Sequence, residues 1–124
     1  MKTVYKRFDL TVDKENTRIT DSFELDKNVE KITGILLSSN KDEMLYYRGS
    51  QSIEINKEEI FPESYESKLL MSGLNINPNM RFHELKDFPV GNGSLDISYT
   101  DSDDVRAKFE TYRVSIYIRC LINH

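Results

Sequence analysis

Residues 112–122 read YRVSIYIRCLI and carry the clearest structural signal in the chain. Large apolar side chains occupy every second position, and Arg113, Ser115, Tyr117 and Arg119 fill the positions between them. Successive side chains of a β-strand point to opposite faces, so this alternation predicts a strand with one buried face. The side chains predicted to face the core are Tyr112, Val114, Ile116, Ile118, Cys120 and Ile122.

The same two-residue rhythm recurs along the chain and predicts further strands. They lie at 4–12, 19–25, 44–48, 52–55, 80–85 and 95–99. Residues 32–37, ITGILL, are nearly continuous in apolar character and rich in β-branched side chains, which is typical of a central strand. Polar turns are expected between the strands, with a loop at 86–93 that ends in an Asn-Gly reversal.

Two interpretations are open for residues 58–73. Pro62 at a first helical position and Gly73 just past the end would suit a short helix. Tyr65, Leu69 and Met71 share one parity instead, and residues 74–77 alternate after them, which favours a strand. The sequence leaves both structures possible here.

About eight short strands with at most a turn or two of helix predict an all-β protein. We interpret residues 1–124 as a single antiparallel β-sandwich domain that is jelly-roll-like. An immunoglobulin-like sandwich is the alternative. It is weakened because the chain has no tryptophan and only one cysteine.

Composition and charge exclude several classes of protein. The formal net charge is −4, and the 31% of residues that are charged carry both signs in mixed order, so nucleic acid is not expected as the main partner. No stretch approaches the ~20 apolar residues of a membrane span, and no secretory signal is seen at the N-terminus. Cys120 is the only cysteine, which excludes an intrachain disulfide and fits a reducing compartment.

Three groups of residues invite a catalytic or metal-binding interpretation, and each has a simpler one. His83, the only histidine inside the chain, has the opposite parity to Phe82 and is predicted on the solvent side. The glutamates between 54 and 66 are typical of solvated strand faces and turns rather than of a glycosidase pair. Residues 101–104, DSDD, lack the glycine and distal glutamate of an EF-hand loop and predict an acidic turn. We therefore predict no enzymatic activity, no cofactor and no metal site.

Residues 43–50, EMLYYRGS, are the best candidate for a contact surface. In an extended strand Tyr46 and Tyr47 would face opposite sides, with Arg48 beside the outer ring or turned inward. Tyrosine and arginine are enriched at the centres of protein interfaces, so Tyr47→Ala or Arg48→Ala should weaken association more than folding. Aromatic and proline-flanked positions elsewhere extend the candidate set, which is Tyr46, Tyr47, Arg48, Phe61, Arg81 and Phe88.

These inferences lead to two hypotheses of function. The first is a structural protein that forms homo-oligomers or assembles with other structural proteins, such as a capsid, penton or minor capsid component; its strand pattern is similar to that of single jelly-roll virion proteins. A domain starting at Met1 without an export signal is expected in a virion or in the cytoplasm. The alternative is a carbohydrate- or peptide-binding module that uses Tyr46 or Tyr47, Arg48 and the loop at 88–93.

Overall fold

The computed structural model describes residues 2–56, 58–71, 82–89 and 93–122. The predicted alternation at 74–77, the start of the predicted strand at 80–85 and the contact candidate Arg81 therefore lie outside the described residues. The described elements are β1 (Lys2–Val12), β2 (Arg18–Glu24), β3 (Val29–Ser39), α1 (Asp42–Arg48), β4 (Gly49–Ile55), β5 (Glu58–Glu66), a 3-10 helix (Ser67–Leu70), β6 (His83–Pro89), β7 (Ser94–Asp101) and β8 (Tyr112–Ile122).

The strands form two antiparallel sheets with the orders β1-β8-β3-β6 and β2-β7-β4-β5. The first strand pairs with the eighth, the second with the seventh, the third with the sixth and the fourth with the fifth. This pattern is that of one long hairpin rolled into a double sheet, which is the jelly-roll architecture. The prediction of an antiparallel, jelly-roll-like sandwich with about eight strands is confirmed.

The core lies between the two sheets and contains the apolar positions of the alternating segments. Ile116 and Ile118 of β8, in one sheet, and Ile53 of β4 and Ile97 of β7, in the other, are all buried members of this core. Cys120 is a buried free thiol, and its burial raises the pKa to about 11. The predicted inward face of residues 112–122 is confirmed from Tyr112 to Cys120, and Ile122 is partly buried.

The strand predicted at 44–48 is wrong, because Asp42–Arg48 is a helix. Met44, Leu45 and Arg48 share its buried side, as the spacing of a helix allows and the spacing of a strand does not. Acidic residues occupy its first turn and Arg48 its last, an order that suits the helix dipole. Gly49 ends the helix where a side chain would not fit, since a Cβ there would lie 2.7 Å from Ser67 Oγ.

The sequence left two structures possible for residues 58–73. The structure has a strand over Glu58–Glu66 and a single 3-10 turn over Ser67–Leu70. Pro62 therefore lies in a strand and starts no helix; β5 is an edge strand, which tolerates a proline. The loop predicted at 86–93 is wrong for its first half, because β6 runs on to Pro89 and pairs there with Lys31. None of the described residues forms a helix long and apolar enough to cross a membrane.

Candidate interaction surface

Helix α1 places Tyr46 and Tyr47 side by side on the outside of the protein. Their rings contact edge to face with centroids 4.9 Å apart, and the residues are 46% and 37% exposed. The expectation that they face opposite sides is wrong, because it rested on a strand. In the helix, Met44, Leu45 and Arg48 take the inward direction and both rings remain outside.

Two cations from distant parts of the chain lie against these rings. Arg106 Cζ is 4.6 Å from the centroid of the Tyr47 ring, and Lys68 Nζ is 5.9 Å from that of Tyr46. Both distances are within the range of cation–π attraction. The chain neighbours of these cations are the exposed apolar residues Leu69 and Val105. We call this surface the tyrosine patch and define it as Tyr46, Tyr47, Lys68, Leu69, Val105 and Arg106.

Each cation of the tyrosine patch is paired with a carboxylate. Lys68 Nζ lies 2.9 Å from Glu66, and Arg106 Nη2 lies 2.8 Å from Asp104. Asp104 also accepts a hydrogen bond from the Arg106 backbone N–H at 2.9 Å. These hydrogen bonds lower the pKa of Asp104 to about 2 and raise the pKa of Arg106. At neutral pH both partners are charged, and the guanidinium is oriented by the carboxylate beside the Tyr47 ring.

Beneath the tyrosine patch, Arg48 forms a buried ion pair. The residue is only 2% exposed, and its Nε and Nη2 donate to the two oxygens of Asp101 at 3.1 and 3.0 Å. Nη1 donates to the Ala107 carbonyl at 2.9 Å, and the guanidinium lies 5.3 Å from the centroid of the Phe109 ring. The pairing with Asp101 raises the pKa of Arg48, so this side chain is charged and held by the loop after β7.

Hydroxyl groups extend the buried ion pair into the core. Tyr112 donates to Asp101 Oδ1 at 2.6 Å and lies 2.8 Å from the Tyr99 hydroxyl. The Asn16 backbone N–H donates to the other Asp101 oxygen at 3.0 Å. Burial raises the pKa of both tyrosines, which remain neutral hydrogen-bond donors. Every buried side-chain N and O atom of the described residues has a hydrogen-bond partner, so this network stabilises the end of the sandwich under the tyrosine patch.

The six residues predicted from the sequence to contact a partner lie in different environments. Tyr46 and Tyr47 lie on the tyrosine patch, whereas Arg48 and Phe61 are buried and present no surface to a partner. Phe61 packs in the core with its ring centroid 4.7 Å from that of Tyr65. Arg81 and the side chain of Phe88 lie outside the described residues; the backbone of Phe88 pairs with Ile32 in the sheet.

Sequence reasoning missed the other members of the tyrosine patch. Lys68 and Leu69 lie in the segment whose secondary structure was open, and Val105 and Arg106 lie just past the acidic turn. Val105 carried no usable signal, since single apolar residues are ordinary on protein surfaces and only the fold brings it close to Leu69 and the two tyrosines.

The other suspected chemical groups lie apart from one another. His83 is exposed, as predicted, but the parity argument for it is wrong. It pairs with the core residue Ile35 on β3 and its ring centroid lies 5.5 Å from that of Phe61, whereas Phe82 lies beside Arg119 on the outer side of the sheet. The acidic turn predicted at 101–104 begins at Asp101, the last residue of β7, which is buried and paired with Arg48. Among the residues that the structure describes, no three histidine, cysteine or carboxylate side chains are grouped so as to hold a metal ion.

Comparisons with known proteins gave no match: no family model fits the chain, and none was found among the curated proteins or the solved structures.

Proposed function

We propose that this protein is a non-enzymatic structural protein of an assembly, such as a capsid, penton or minor capsid component of a virion, and that the tyrosine patch is one of its contact surfaces. The observation that carries the proposal is the distribution of exposed apolar side chains. Among the described residues, the large exposed ones are Tyr5, Tyr46, Tyr47, Leu69 and Val105, and all but Tyr5 belong to the patch.

The composition of the tyrosine patch suits protein contact. Tyrosine and arginine bring large contact area together with a polar tip or fork, and both are enriched where interfaces are most fully buried. Apolar area is stabilised by ~25 cal/mol for each Å² removed from water, which favours covering Leu69 and Val105. The Arg48–Asp101 pair beneath fixes the loop that carries Arg106, so little ordering cost is expected on binding.

The fold is compatible with this proposal but does not select it, because jelly rolls occur in viral capsids and in lectins alike. One observation favours the alternative of a carbohydrate-binding module. A depression on the outer face of the second sheet is lined by hydroxyl, carboxylate and guanidinium groups that could bind sugar hydroxyls. Its lining residues include Arg18, Thr20, Ser52, Glu54, Asp96 and Ser98. It offers no aromatic platform, so we rank it second.

Sedimentation velocity together with electron microscopy of the sample tests the proposal. We expect the wild-type protein to form assemblies, and Tyr47→Ser or Val105→Asp to shift it toward monomer without lowering the melting temperature. Glu43→Gln is the matched control, since Glu43 is exposed on the same helix and lies outside the tyrosine patch. A wild-type protein that stays monomeric at every concentration, or patch variants that assemble like the control, would overturn the proposal. Binding of a glycan lost on Ser52→Ala would instead support the module.

A further inference from the structure

The outer face of the sheet β1-β8-β3-β6 is covered by aromatic rings and guanidinium groups. Arg7 Cζ lies 5.7 Å from the centroid of the Tyr117 ring, and Arg119 Cζ lies 5.5 Å from that of Phe82. The Tyr5 ring continues the row, with its centroid 5.6 Å from that of Phe82. We call this surface the aromatic–arginine face. It is distinct from the tyrosine patch, which belongs to α1, the 3-10 helix and the loop after β7.

A glycine permits this arrangement on the aromatic–arginine face. Gly34 lies opposite Arg119 in the sheet, and a Cβ at Gly34 would come within 3.0 Å of Phe82 Cβ and 3.1 Å of Arg119 Nη2. Without that atom, the guanidinium lies across β3, where it donates to the Thr33 carbonyl at 2.9 Å. The Arg119 side chain therefore lies along the sheet and is held in place by hydrogen bonds, which reduces the entropy lost when a partner binds this face.

The outer face of the other sheet has the opposite chemistry. The outward positions of β2, β7 and β4 carry neither an apolar nor an aromatic side chain. They are Arg18, Thr20, Ser22, Glu24, Ser50, Ser52, Glu54, Ser94, Asp96, Ser98 and Thr100. Hydrogen bonds such as Thr20–Ser98 at 3.0 Å tie neighbouring strands together. We call this surface the hydroxyl–carboxylate face.

Charge on the two faces is complementary. On the aromatic–arginine face, the outward positions of β1 and β8 hold three arginines and one aspartate, and β6 adds Glu84. Arg7 pairs with Asp9 at 2.9 Å and Arg119 with Glu84 at 2.6 Å, so these groups carry a small net positive charge. On the hydroxyl–carboxylate face, Glu54 lies directly opposite Asp96 on one side and Glu59 on the other. Like charges at directly opposed positions destabilise a sheet. A cationic surface placed over this row would relieve that repulsion.

We infer that copies of this chain associate by placing the aromatic–arginine face of one against the hydroxyl–carboxylate face of the next. The inference rests on the proposed function and specifies how the copies meet. Guanidinium groups pair with carboxylates through two parallel hydrogen bonds, and a tyrosine hydroxyl can donate to serine and threonine. A second copy is the partner because the chain itself carries the complementary surface, the acidic row of Glu54, Asp96 and Glu59.

The geometry of this contact makes it weak and repeating. Four strands of about seven residues cover roughly 450 Å², which is less than the ~800 Å² per partner of a standard stable interface. The two faces point in opposite directions, so the contact joins different surfaces and continues from copy to copy as an open row. Association through it should therefore need high protein concentration and should weaken steeply as salt is added.

A charge exchange between the faces tests the inference. Arg7→Glu makes the first face more acidic, and Glu54→Arg makes the second more basic, so each variant alone should associate at least about tenfold more weakly than wild type. Mixed in equal amounts, the variants should recover association, because every contact between unlike copies again joins opposite charges. Lys14→Glu and Glu43→Arg are the controls; they make the same charge changes at exposed positions outside both faces and should associate like wild type.

Sedimentation velocity at low and high salt measures each sample, and circular dichroism checks that it is folded. Glu54→Arg removes a like-charge repulsion and should fold even if Arg7→Glu does not. If folded charge variants assemble like their controls, or a mixture of two folded variants shows no recovery, the face-to-face contact is overturned. The proposed function then stands or falls on the tyrosine-patch variants. If the wild type is monomeric in all conditions, both are overturned.

Discussion

Arg48 and Arg106 make the same kinds of contact in two different environments. Each pairs with an aspartate and lies over an aromatic ring: Arg48 with Asp101 and Phe109 in the interior, Arg106 with Asp104 and Tyr47 on the surface. Both side chains of the first ion pair are fully buried, whereas the Arg106 side chain is 63% exposed.

This difference in burial gives the two arginines different roles: Arg48 stabilises the fold, and Arg106 is available to contact a partner. A buried ion pair has already lost its hydration, so removing one partner leaves an uncompensated charge in the interior. An exposed pair exchanges readily with water, contributes little to folding, and is available to a partner. The sequence singles out Arg48 because it follows two tyrosines, yet the arginine that accompanies those rings on the surface is Arg106, which is 58 positions further along the chain.

The largest expected effect is that of Arg48→Ala. Asp101 would keep the hydrogen bonds from Tyr112 and Asn16 but lose its ion partner, so we expect the free energy of unfolding to fall by about 3–5 kcal/mol. Urea denaturation followed by circular dichroism measures it, since the chain has no tryptophan. This replaces the expectation that Arg48 acts mainly in association. A loss well under 1 kcal/mol would show that the buried pair does not hold the fold.

A smaller effect is expected for Tyr112→Phe. The change removes the hydroxyl that donates to Asp101 and contacts the Tyr99 hydroxyl, while the ring stays in place. A hydrogen bond to a charged group contributes about 1.5–3 kcal/mol, and we expect a loss of that size in the same urea experiment. Tyr46→Phe is the control because the Tyr46 ring is on the surface, and it should leave the unfolding midpoint unchanged.

Arg106→Ala should change folding far less than Arg48→Ala and association far more. The guanidinium is exposed and its ion pair is local in the chain, so the urea midpoint should stay close to that of wild type. Sedimentation velocity should show weaker assembly, because the variant removes the cation beside Tyr47. Lys14→Ala is the control, since Lys14 is an exposed cation outside the tyrosine patch and outside both sheet faces. A large loss of stability with normal assembly would reverse the distinction between the two arginines.

The smallest effect concerns the titration of Asp104. Its pKa of about 2 lies below the ordinary value of 3.8, so the contribution of its charged form is complete above pH 3.8 and is lost as the pH falls through about 2. Carboxyl chemical shifts in NMR measure the midpoint. Arg106→Gln should raise it toward the ordinary value, because Arg106 is the main cause of the depression. An ordinary midpoint in the wild type would show that the surface pair is not formed in solution.

The sequence predicted the sandwich well, because alternation is a local property and one face of each strand is buried. Helix α1 escaped prediction since 44–48 is apolar at both parities, so a short run does not distinguish a strand from two turns of helix. The burial of Arg48 could not be predicted from the sequence either, because its partner Asp101 lies 53 positions away in the chain. The tyrosine patch depends on distant contacts of the same kind, because its six residues are three adjacent pairs, 46–47, 68–69 and 105–106, that lie far apart in the chain.

The pairing of β8 with both β1 and β3 also affects how the chain is made. Every other described strand precedes β8 in the sequence, so during synthesis on a ribosome β1 and β3 are complete long before their common neighbour emerges. Their edges stay open in that interval, and open edges invite wrong partners. Pairings so far apart in sequence also close slowly. The sheet of the nascent protein therefore stays incomplete until β8 has been made.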